Sequence, residues 1–172
     1  MENYKRDLQL KILDMVKDID LVCKKHNIKY YLAYGSVLGA VRHQGFIPWD
    51  DDFDIMLKLD DYNKFIKACQ EDLDSKKYFV QTLETDPNYY LSFGKIRNIQ
   101  TTLIEQNNRF ENMVNGVYVD VFPLVGYPEG KFKKTILEIN RAFALSANRN
   151  IINNKFLYSV FKLILKIFGK AN

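Results

Sequence analysis

The feature of this sequence that most constrains its fold is a cluster of acids that runs directly into an apolar segment. Four aspartates fall within five positions, at Asp50, Asp51, Asp52 and Asp54. Acidic and apolar residues alternate over Asp52-Phe53-Asp54-Ile55, which predicts a strand with both acids on one face. Two carboxylates on one side of a strand repel each other unless a cation lies between them. The pattern therefore predicts an acid-bearing strand over residues 53–57 that holds a cation.

A calcium-binding loop is the main alternative use of the same acids. Asp50, Asp52 and Asp54 match the first three ligand positions of an EF-hand. The sixth position of that loop would be Ile55, where glycine is required, and the twelfth would be Asp61 in place of glutamate. Residues 55–57 also continue as a buried strand. We therefore discount a calcium loop.

A Gly-Ser pair lies upstream of the acids, at Gly35 and Ser36. Residues 29–33 predict a strand, and the pair is expected to end that strand and open a short helical turn through Arg42. Backbone N–H groups in such a turn can hold a phosphate. The order of strand, Gly-Ser, helix, loop and acid-bearing strand resembles that of nucleotidyltransferase-fold enzymes. In those enzymes the turn touches phosphate and the acids hold Mg²⁺.

Three further charged residues are candidates for the same site. Asp120 is the single acid in the apolar strand pattern of residues 117–122, and such an acid is costly to bury unless a cation or donor meets it. On a neighbouring strand it would face Asp52 and Asp54, as a metal ligand or as a proton acceptor. Lys95 and Arg97 are two positions apart on a predicted strand, so both point to one side and suit a diphosphate. A surface acid for Asp120 and ordinary ion pairs for the two cations are the alternatives.

The remaining segments predict an α+β domain with a mixed sheet flanked by helices. Apolar residues at helical spacing predict a helix over residues 4–26, and Asp60-Asp61 is expected to cap a second helix that ends near Leu73. Besides the two strands above, strands are expected over residues 78–83, 91–97 and 117–122, with a further one over 101–105.

At Tyr34-Gly35-Ser36 and onward through Ile55 the sequence closely resembles the LicD family of phosphotransferases. The resembling string is YGSVLGAVRHQGFIPWDDDFDI, and the segments Lys95–Arg97, Thr101-Thr102 and Asp120–Leu124 are similar to later blocks of that family. The resemblance covers roughly residues 8–127. It implies a nucleotidyltransferase-like catalytic core over residues 1–130, followed by a basic helical segment over residues 131–172 that packs on the core or extends from it.

The resemblance also implies an activity. It is the Mg²⁺-dependent transfer of a phosphoalcohol, such as phosphocholine from CDP-choline, to a hydroxyl of a cell-surface glycan, for example teichoic acid, lipopolysaccharide or capsule. One or two Mg²⁺ ions are expected, with Mn²⁺ as a substitute. Metal and catalysis are assigned to Asp52, Asp54 and Asp120. Donor and acceptor contacts are assigned to Gly35, Ser36, Arg42, Trp49, Asp50, Lys95, Arg97 and Thr102.

Two other functions stay open on the sequence. One is a nucleotidyltransferase proper, which attaches a nucleoside monophosphate to an alcohol or protein. The other is a non-catalytic module that binds a nucleotide or a glycan.

Positive charge is concentrated in the C-terminal segment, because residues 131–172 contain several Lys and Arg residues and a single acid, Glu138, whereas the whole chain has a net charge of +4. Its last helix has an apolar stripe and several lysines, so it either packs against the protein or lies on an anionic membrane beside a lipid-linked acceptor. No recognised nucleic-acid-binding pattern accompanies the charge. Cys23 and Cys69 fall in apolar helical patterns and the N-terminus lacks an apolar signal core, which favours a cytoplasmic location, including the inner face of the membrane.

Overall fold

The computed structural model describes residues 2–89, 91–104, 112–126 and 129–130 of the 172-residue chain. Three helices and five strands follow one another in this part. In chain order they are α1 (Glu2–Lys25), β1 (Tyr31–Leu32), α2 (Tyr34–His43), β2 (Asp54–Lys58), α3 (Leu59–Asp72), β3 (Tyr78–Gln81), β4 (Gly94–Asn98) and β5 (Val117–Leu124). The predicted α+β class is confirmed.

The five strands form one mixed sheet in the order β1-β2-β5-β4-β3. Strands β2 and β5 run parallel, whereas the pairs β1–β2, β5–β4 and β4–β3 are antiparallel. The sheet therefore places β5, which comes last in the described chain, directly between the acid-bearing strand β2 and strand β4. This placement determines which charged side chains meet.

One face of the sheet is covered by α1 and α3, which contact each other and the strands beneath them. The apolar stripe predicted for the first helix forms much of this core, with buried side chains at Leu8, Ile12, Met15, Ile19 and Val22. Alternate residues of the central strands complete it, including Ile55, Leu57, Ile96, Val119 and Val121. Because side chains alternate along a strand, residues 54, 95 and 120 point to the opposite face.

Two local predictions are wrong. Helix α3 is not capped by Asp60-Asp61: its cap residue is Lys58, which makes no side-chain capping bond, and both aspartates lie in the first helical turn. Strand β2 ends at Lys58 and α3 begins at Leu59, which leaves no room for a capping loop. Residues 101–104 do not form a strand either, because Thr101 closes a turn in which its Oγ1 donates to Asn98 O at 2.6 Å.

Both cysteines are buried free thiols, as predicted. Among the described residues, no helix combines the length and apolarity needed to cross a membrane. The chain divides into two units, Met1–Val125 and Gly126–Asn172. The predicted basic C-terminal helix belongs to residues 131–172, which lie outside the described part.

Candidate active site

Asp54 and Asp120 lie side by side on adjacent parallel strands. They are register partners of β2 and β5, and Asp120 N donates to Phe53 O at 2.9 Å just before this pair. Partners on neighbouring strands point to the same face of a sheet, so both buried carboxylates share one side. The prediction that Asp120 faces Asp54 from a neighbouring strand is confirmed. Their role as metal ligands stays a prediction.

Asp52 precedes strand β2, which begins at Asp54, one residue later than predicted. The neighbouring acids nevertheless raise the pKa of its carboxyl. The pKa of Asp52 is raised to about 6, first by burial and then by the neighbouring charges of Asp50, Asp120 and Asp51. The pKa of Asp54 is raised to about 7, first by burial and then by the charges of Asp52, Asp120 and Asp50, while Lys95 acts in the opposite direction. The three predicted acids therefore form one electrostatic group.

A second acidic grouping shares Asp52 with the first. Carboxylate oxygens of Asp50, Asp51 and Asp52 lie within 4.8 Å of one another. Asp50 also lies against the first turn of α2, since a Cβ on Gly35 would be 2.9 Å from Asp50 Oδ2. A carboxylate in this position is favoured by the positive end of the helix dipole. A phosphate bound at Gly35 would have to share this turn with Asp50.

Ser36 connects α2 to the acid-bearing strand. Its Oγ accepts a hydrogen bond from Asp54 N at 2.8 Å. Helix α2 begins at Tyr34, so Gly35 and Ser36 lie inside its first turn, and the helix runs on to His43, one residue beyond the predicted turn. The bond fixes the start of β2 to the helix, which positions the Asp54 carboxylate. Whether Ser36 also contacts phosphate stays a prediction.

Lys95 and Arg97 share one side of β4, as predicted, and both are almost fully buried, at 2% and 1% exposed. Lys95 Nζ lies 2.8 Å from Asp120 Oδ1 and 3.4 Å from the centroid of the Tyr118 ring. Arg97 Nε donates to Gln81 Oε1 at 2.6 Å and Nη1 donates to Gly116 O at 3.0 Å. Lys95 is therefore the ion-pair partner of Asp120. Arg97 instead stabilises Gln81 and the backbone at Gly116 through hydrogen bonds. A diphosphate contact for either residue stays a prediction.

The other predicted contact residues are exposed. Arg42 lies in the last turn of α2, and Thr102 follows β4. Trp49, 69% exposed, packs edge-to-face with His43 at 6.1 Å between ring centroids. Their side chains are accessible to a ligand, and their assigned roles stay predictions.

Gln9 contacts the acidic loop and was not predicted from the sequence. Its Nε2 donates to the carbonyls of Ile47 and Asp50, both at 3.0 Å, and Lys5 Nζ donates to Trp49 O at 2.7 Å. Helix α1 thereby holds the backbone of the acidic loop from 47 to 50. A signal was present, because Gln9 is a polar residue beside Leu8 and three positions before Ile12, on the buried side of an amphipathic helix.

Three aromatic rings also adjoin the acids. Phe122 lies two residues beyond Asp120 on β5, Tyr34 precedes Gly35, and Phe93 precedes strand β4. The Tyr34 and Phe122 rings meet edge-to-face at 5.1 Å, and Phe93 packs on Phe122 at 4.4 Å. We call these three residues the aromatic corner.

The acids suit a divalent cation by their chemistry. Carboxylate oxygens are the ligands that Mg²⁺ takes in proteins. Asp52 and Asp54 have raised pKa values because burial and mutual repulsion disfavour their charged forms, and a bound cation relieves both effects. Asp52, Asp54 and Asp120 are therefore suited by their chemistry to a divalent cation, whereas the three acids whose carboxylate oxygens lie within 4.8 Å of one another in the described residues are Asp50, Asp51 and Asp52. Which of these acids bind a metal stays a prediction.

The chain is similar to proteins of a known family. Residues 27–154 match the family model described as LicD/FKTN/FKRP, nucleotidyltransferase domain. The chain is similar to the lipopolysaccharide cholinephosphotransferase LicD of Haemophilus influenzae, with 31% identity over 124 residues, which is 72% of this chain and 45% of that protein. The chain thus spans less than half the length of this relative.

Two eukaryotic relatives are more distant or match over shorter segments. Human ribitol 5-phosphate transferase FKRP is 45% identical over 40 residues, which is 23% of this chain and 8% of that protein. Mannosyltransferase regulator 4 of Saccharomyces cerevisiae is 20% identical over 152 residues, covering 80% of this chain and 13% of the yeast protein. The family match extends over most of the chain and includes all three acids of the site. On this evidence the chain belongs to the LicD/FKTN/FKRP family.

Proposed function

We propose that the protein is a Mg²⁺-dependent phosphotransferase that moves a phosphoalcohol from a CDP-alcohol to a hydroxyl of a cell-surface glycan. The observation that carries the proposal is the pairing of Asp54 with Asp120 across two parallel strands. This pairing brings together two acids that are 66 positions apart in sequence. Lys95 compensates one of these two buried carboxylates, and the other one together with Asp52 leaves negative charge that a bound cation would neutralise.

The relatives support the chemical class. The Haemophilus protein is named as a cholinephosphotransferase acting on lipopolysaccharide, and FKRP is named as a ribitol 5-phosphate transferase. Both names describe transfer of a phosphorylated alcohol. For this chain we infer the same class, with a glycan hydroxyl as acceptor.

Asp52, Asp54 and Asp120 would hold the metal, with Mn²⁺ as a substitute for Mg²⁺. When bound, a divalent cation neutralises negative charge on the phosphoryl oxygens of the donor. Lys95, held beside Asp120, adds a fixed positive charge next to the acids. Ser36 and Gln9 hold the strand and the loop that carry the carboxylates.

The transfer exchanges one phosphorus–oxygen bond for another. The acceptor hydroxyl attacks the phosphorus that bears the alcohol, a new P–O bond forms to the acceptor oxygen, and the P–O bond to CMP breaks. The hydroxyl proton passes to a carboxylate of the site, for which Asp120 is our candidate. Positioning and charge neutralisation supply most of the catalysis in phosphoryl transfer.

The test measures release of CMP from CDP-choline, CDP-ribitol and CDP-glycerol, with a glycan acceptor and with Mg²⁺ or EDTA. We expect Mg²⁺-dependent release, and a loss of at least about 100-fold in Asp54→Asn and in Asp120→Asn. Asp60→Asn is the matched control, because Asp60 lies in the exposed first turn of α3. Turnover retained in both site variants would refute the assignment.

The family model also carries the description nucleotidyltransferase domain, which favours one alternative. A nucleotidyltransferase would attach a nucleoside monophosphate to its acceptor. Product analysis separates the two reactions, because that enzyme releases pyrophosphate from a nucleoside triphosphate, whereas the proposed transferase releases CMP from a CDP-alcohol.

A further inference from the structure

A row of register partners crosses four strands of the sheet through the acid site. From β3 to β2 its members are Gln81, Lys95, Asp120 and Asp54. Register partners point to the same face of a sheet, so these four side chains share the face opposite α1 and α3. All four are buried. The paired acids are therefore continued across the sheet by a buried cation and a buried amide.

The aromatic corner borders this row on one side, and Tyr118 borders it on the other. Phe122 is two residues beyond Asp120 on β5, and Tyr118 is two residues before it. Lys95 Nζ lies over the Tyr118 ring, 3.4 Å from its centroid, and Arg97 Cζ lies 4.9 Å from the same centroid. Both distances are within the range of a cation–π contact. The ammonium of Lys95 therefore contacts an aromatic ring as well as the carboxylate of Asp120.

Hydrogen bonds fix the guanidinium of Arg97, the register partner of Tyr118. Arg97 Nε donates to Gln81 Oε1 at 2.6 Å, and Nη1 donates to Gly116 O at 3.0 Å. Gln81 Nε2 donates in turn to Asp86 Oδ2 at 2.7 Å. Arg97, Gln81 and Asp86 are all buried, so these bonds are shielded from competing water. The Tyr118 ring therefore packs against a rigidly held cation.

The ammonium of Lys95 needs such a contact to stay in one place. A lysine ammonium is a compact charge on a flexible four-carbon stem, so one ion pair does not fix its position. An aromatic face attracts a cation most strongly when the cation is desolvated, and Lys95 is 2% exposed. The Tyr118 ring therefore restricts the direction from which Lys95 contacts Asp120 Oδ1.

We propose that Tyr118 is a positioning residue, whose ring holds the Lys95 ammonium on Asp120 and thereby orients the Asp120 carboxylate beside Asp54. The inference rests on the proposed function, in which Asp120 is a metal ligand and the candidate proton acceptor. Groups that orient metal ligands typically contribute to metal affinity and to turnover without touching the substrate. The contact is made by the face of the ring, so phenylalanine at position 118 would preserve it.

A double-mutant cycle of Tyr118→Leu and Lys95→Met tests whether the two residues act together. Mg²⁺ is titrated calorimetrically into the 172-residue protein, and urea denaturation measures the unfolding free energy of each variant. Tyr118→Leu alone should raise the Mg²⁺ Kd about 3- to 30-fold, the range of a cation–π contact. In the Lys95→Met background the same substitution should change the Kd by less than about 2-fold, because the group that the ring positions is absent.

Tyr118→Phe keeps the ring and should retain the wild-type Mg²⁺ Kd. The comparison of Tyr118→Phe with Tyr118→Leu needs no change at Lys95, so it decides the inference even if Lys95→Met does not fold. An unchanged Mg²⁺ Kd in Tyr118→Leu would overturn the inference. So would equal losses in Tyr118→Phe and Tyr118→Leu, or a Tyr118→Leu effect of the same size with and without Lys95.

Tyr78→Leu is the matched control for the loss of a tyrosine ring beneath a lysine. Lys77 Nζ lies 4.8 Å from the centroid of the Tyr78 ring, but Tyr78 belongs to the hydrophobic core and its hydroxyl donates to Asp18 of α1. It therefore lies on the face of the sheet that is opposite the acids. Tyr78→Leu should lower the unfolding free energy and leave the Mg²⁺ Kd unchanged. A rise in Kd equal to that of Tyr118→Leu would show that general destabilisation suffices, which would overturn the inference.

The donor screen separates failure of this inference from failure of the proposed function. CMP release in the wild type, with a Tyr118→Leu effect that persists in the Lys95→Met background, would overturn the positioning role and leave the phosphotransferase intact. Absence of CMP release from all three donors, with the Mg²⁺ results as expected, would overturn the proposed function and support the positioning role. Absence of Mg²⁺ binding by the wild type would overturn both. A kcat that falls in Tyr118→Leu at unchanged KM, and is retained in Tyr118→Phe, would support both.

Discussion

Lys95 and Asp120 form a buried ion pair across strands β4 and β5. They are register partners, and Lys95 Nζ lies 2.8 Å from Asp120 Oδ1. The ammonium also lies 3.4 Å from the centroid of the Tyr118 ring. Asp120 is therefore flanked by a carboxylate partner, Asp54, on one side and by a cation on the other. The acid site therefore depends on side chains from three adjacent strands, β2, β5 and β4.

We expect Lys95→Met to destabilise the protein by about 3–5 kcal/mol, because it leaves the buried Asp120 charge without its ammonium. Lys95→Met combined with Asp120→Asn should recover part of that loss, since the stranded charge is then removed. Urea denaturation measures both effects. Lys67→Met is the control: its side chain is 77% exposed, it faces Glu71 at 3.9 Å, and it should change stability by less than about 0.5 kcal/mol. Equal losses in the single and double variants would contradict the ion-pair argument.

The pKa values of Asp52 and Asp54 predict an unusual pH dependence for the metal-free protein. Both are raised, to about 6 and about 7, above the usual value of 3.8. A group with a raised pKa in the folded state stabilises the fold below its unfolded pKa, and that contribution is lost as the pH rises through the folded pKa. The free energy of unfolding of the metal-free protein should therefore fall as the pH rises from about 4 to about 7, because of these two carboxyls.

Asp54→Asn isolates this effect. Relative to wild type, the variant should gain stability between pH 4 and pH 8, by about 1–3 kcal/mol, since one pKa unit corresponds to about 1.4 kcal/mol. Mg²⁺ at pH 8 should raise the melting temperature of wild type and not that of Asp54→Asn. The comparison with wild type cancels the acid dependence of Asp18, whose pKa is lowered by hydrogen bonds from Lys77 and Tyr78. A stability difference that is constant over this pH range would refute the coupling.

The sequence was sufficient to predict the acid pair because its determinants are local. Alternation placed Asp54 on one face of its strand, and the isolated acid at 120 in an apolar strand indicated a partner across the sheet. The chain position of a strand does not reveal its neighbours, however. Lys95 and Arg97 are buried by residues of the neighbouring strands, including Asp120, Tyr118 and Gln81. No local sequence pattern distinguishes that environment from an open one.

The contacts of Gln9 and the start of α3 could not be predicted from local sequence patterns either. The contacts of Gln9 join residues 38 and 41 positions apart, so they depend on how α1 lies against the loop. The expected cap at Asp60-Asp61 assumed a loop before the helix, but β2 passes directly into α3. Periodicity predicts the elements, whereas their junctions and long-range contacts depend on the packed fold.

Gly39 provides a test of how tightly α2 packs on the acidic loop. A Cβ at this buried position would lie 2.5 Å from Gly45 O and 3.0 Å from Ile47 N, both backbone atoms. Gly39→Ala should therefore destabilise the protein by about 1–3 kcal/mol, despite the higher helix propensity of alanine, and should weaken Mg²⁺ binding by shifting the loop. At Gly45 the nearest atom to a Cβ would be 3.9 Å away, so Gly45→Ala is the matched control and should be nearly neutral. Similar unfolding free energies for the two variants would show that this contact is not tight.

Substitution of Gln9 tests whether helix α1 positions the acids in addition to packing against the acidic loop. Gln9→Leu removes the donor that serves the carbonyls of Ile47 and Asp50, which should cost about 1–3 kcal/mol of stability. Because those carbonyls flank the acidic loop, we also expect the Mg²⁺ dissociation constant to rise about 10-fold, in the range measured when groups that orient metal ligands are lost. Calorimetric titration with Mg²⁺ measures the second effect independently of the first.

Gln100→Leu is the matched control, which separates a role of Gln9 in packing from a role in positioning the metal ligands. The Gln100 side chain donates from Nε2 to Lys76 O at 3.2 Å, which is also an amide-to-carbonyl bond but belongs to a loop away from the acids. Its loss should leave Mg²⁺ affinity unchanged. If Gln9→Leu lowered stability and left the Mg²⁺ dissociation constant at the wild-type value, Gln9 would be a packing residue. If the dissociation constant rose in Gln9→Leu and stayed constant in Gln100→Leu, the bonds from α1 would be part of what holds the carboxylates in place for the metal.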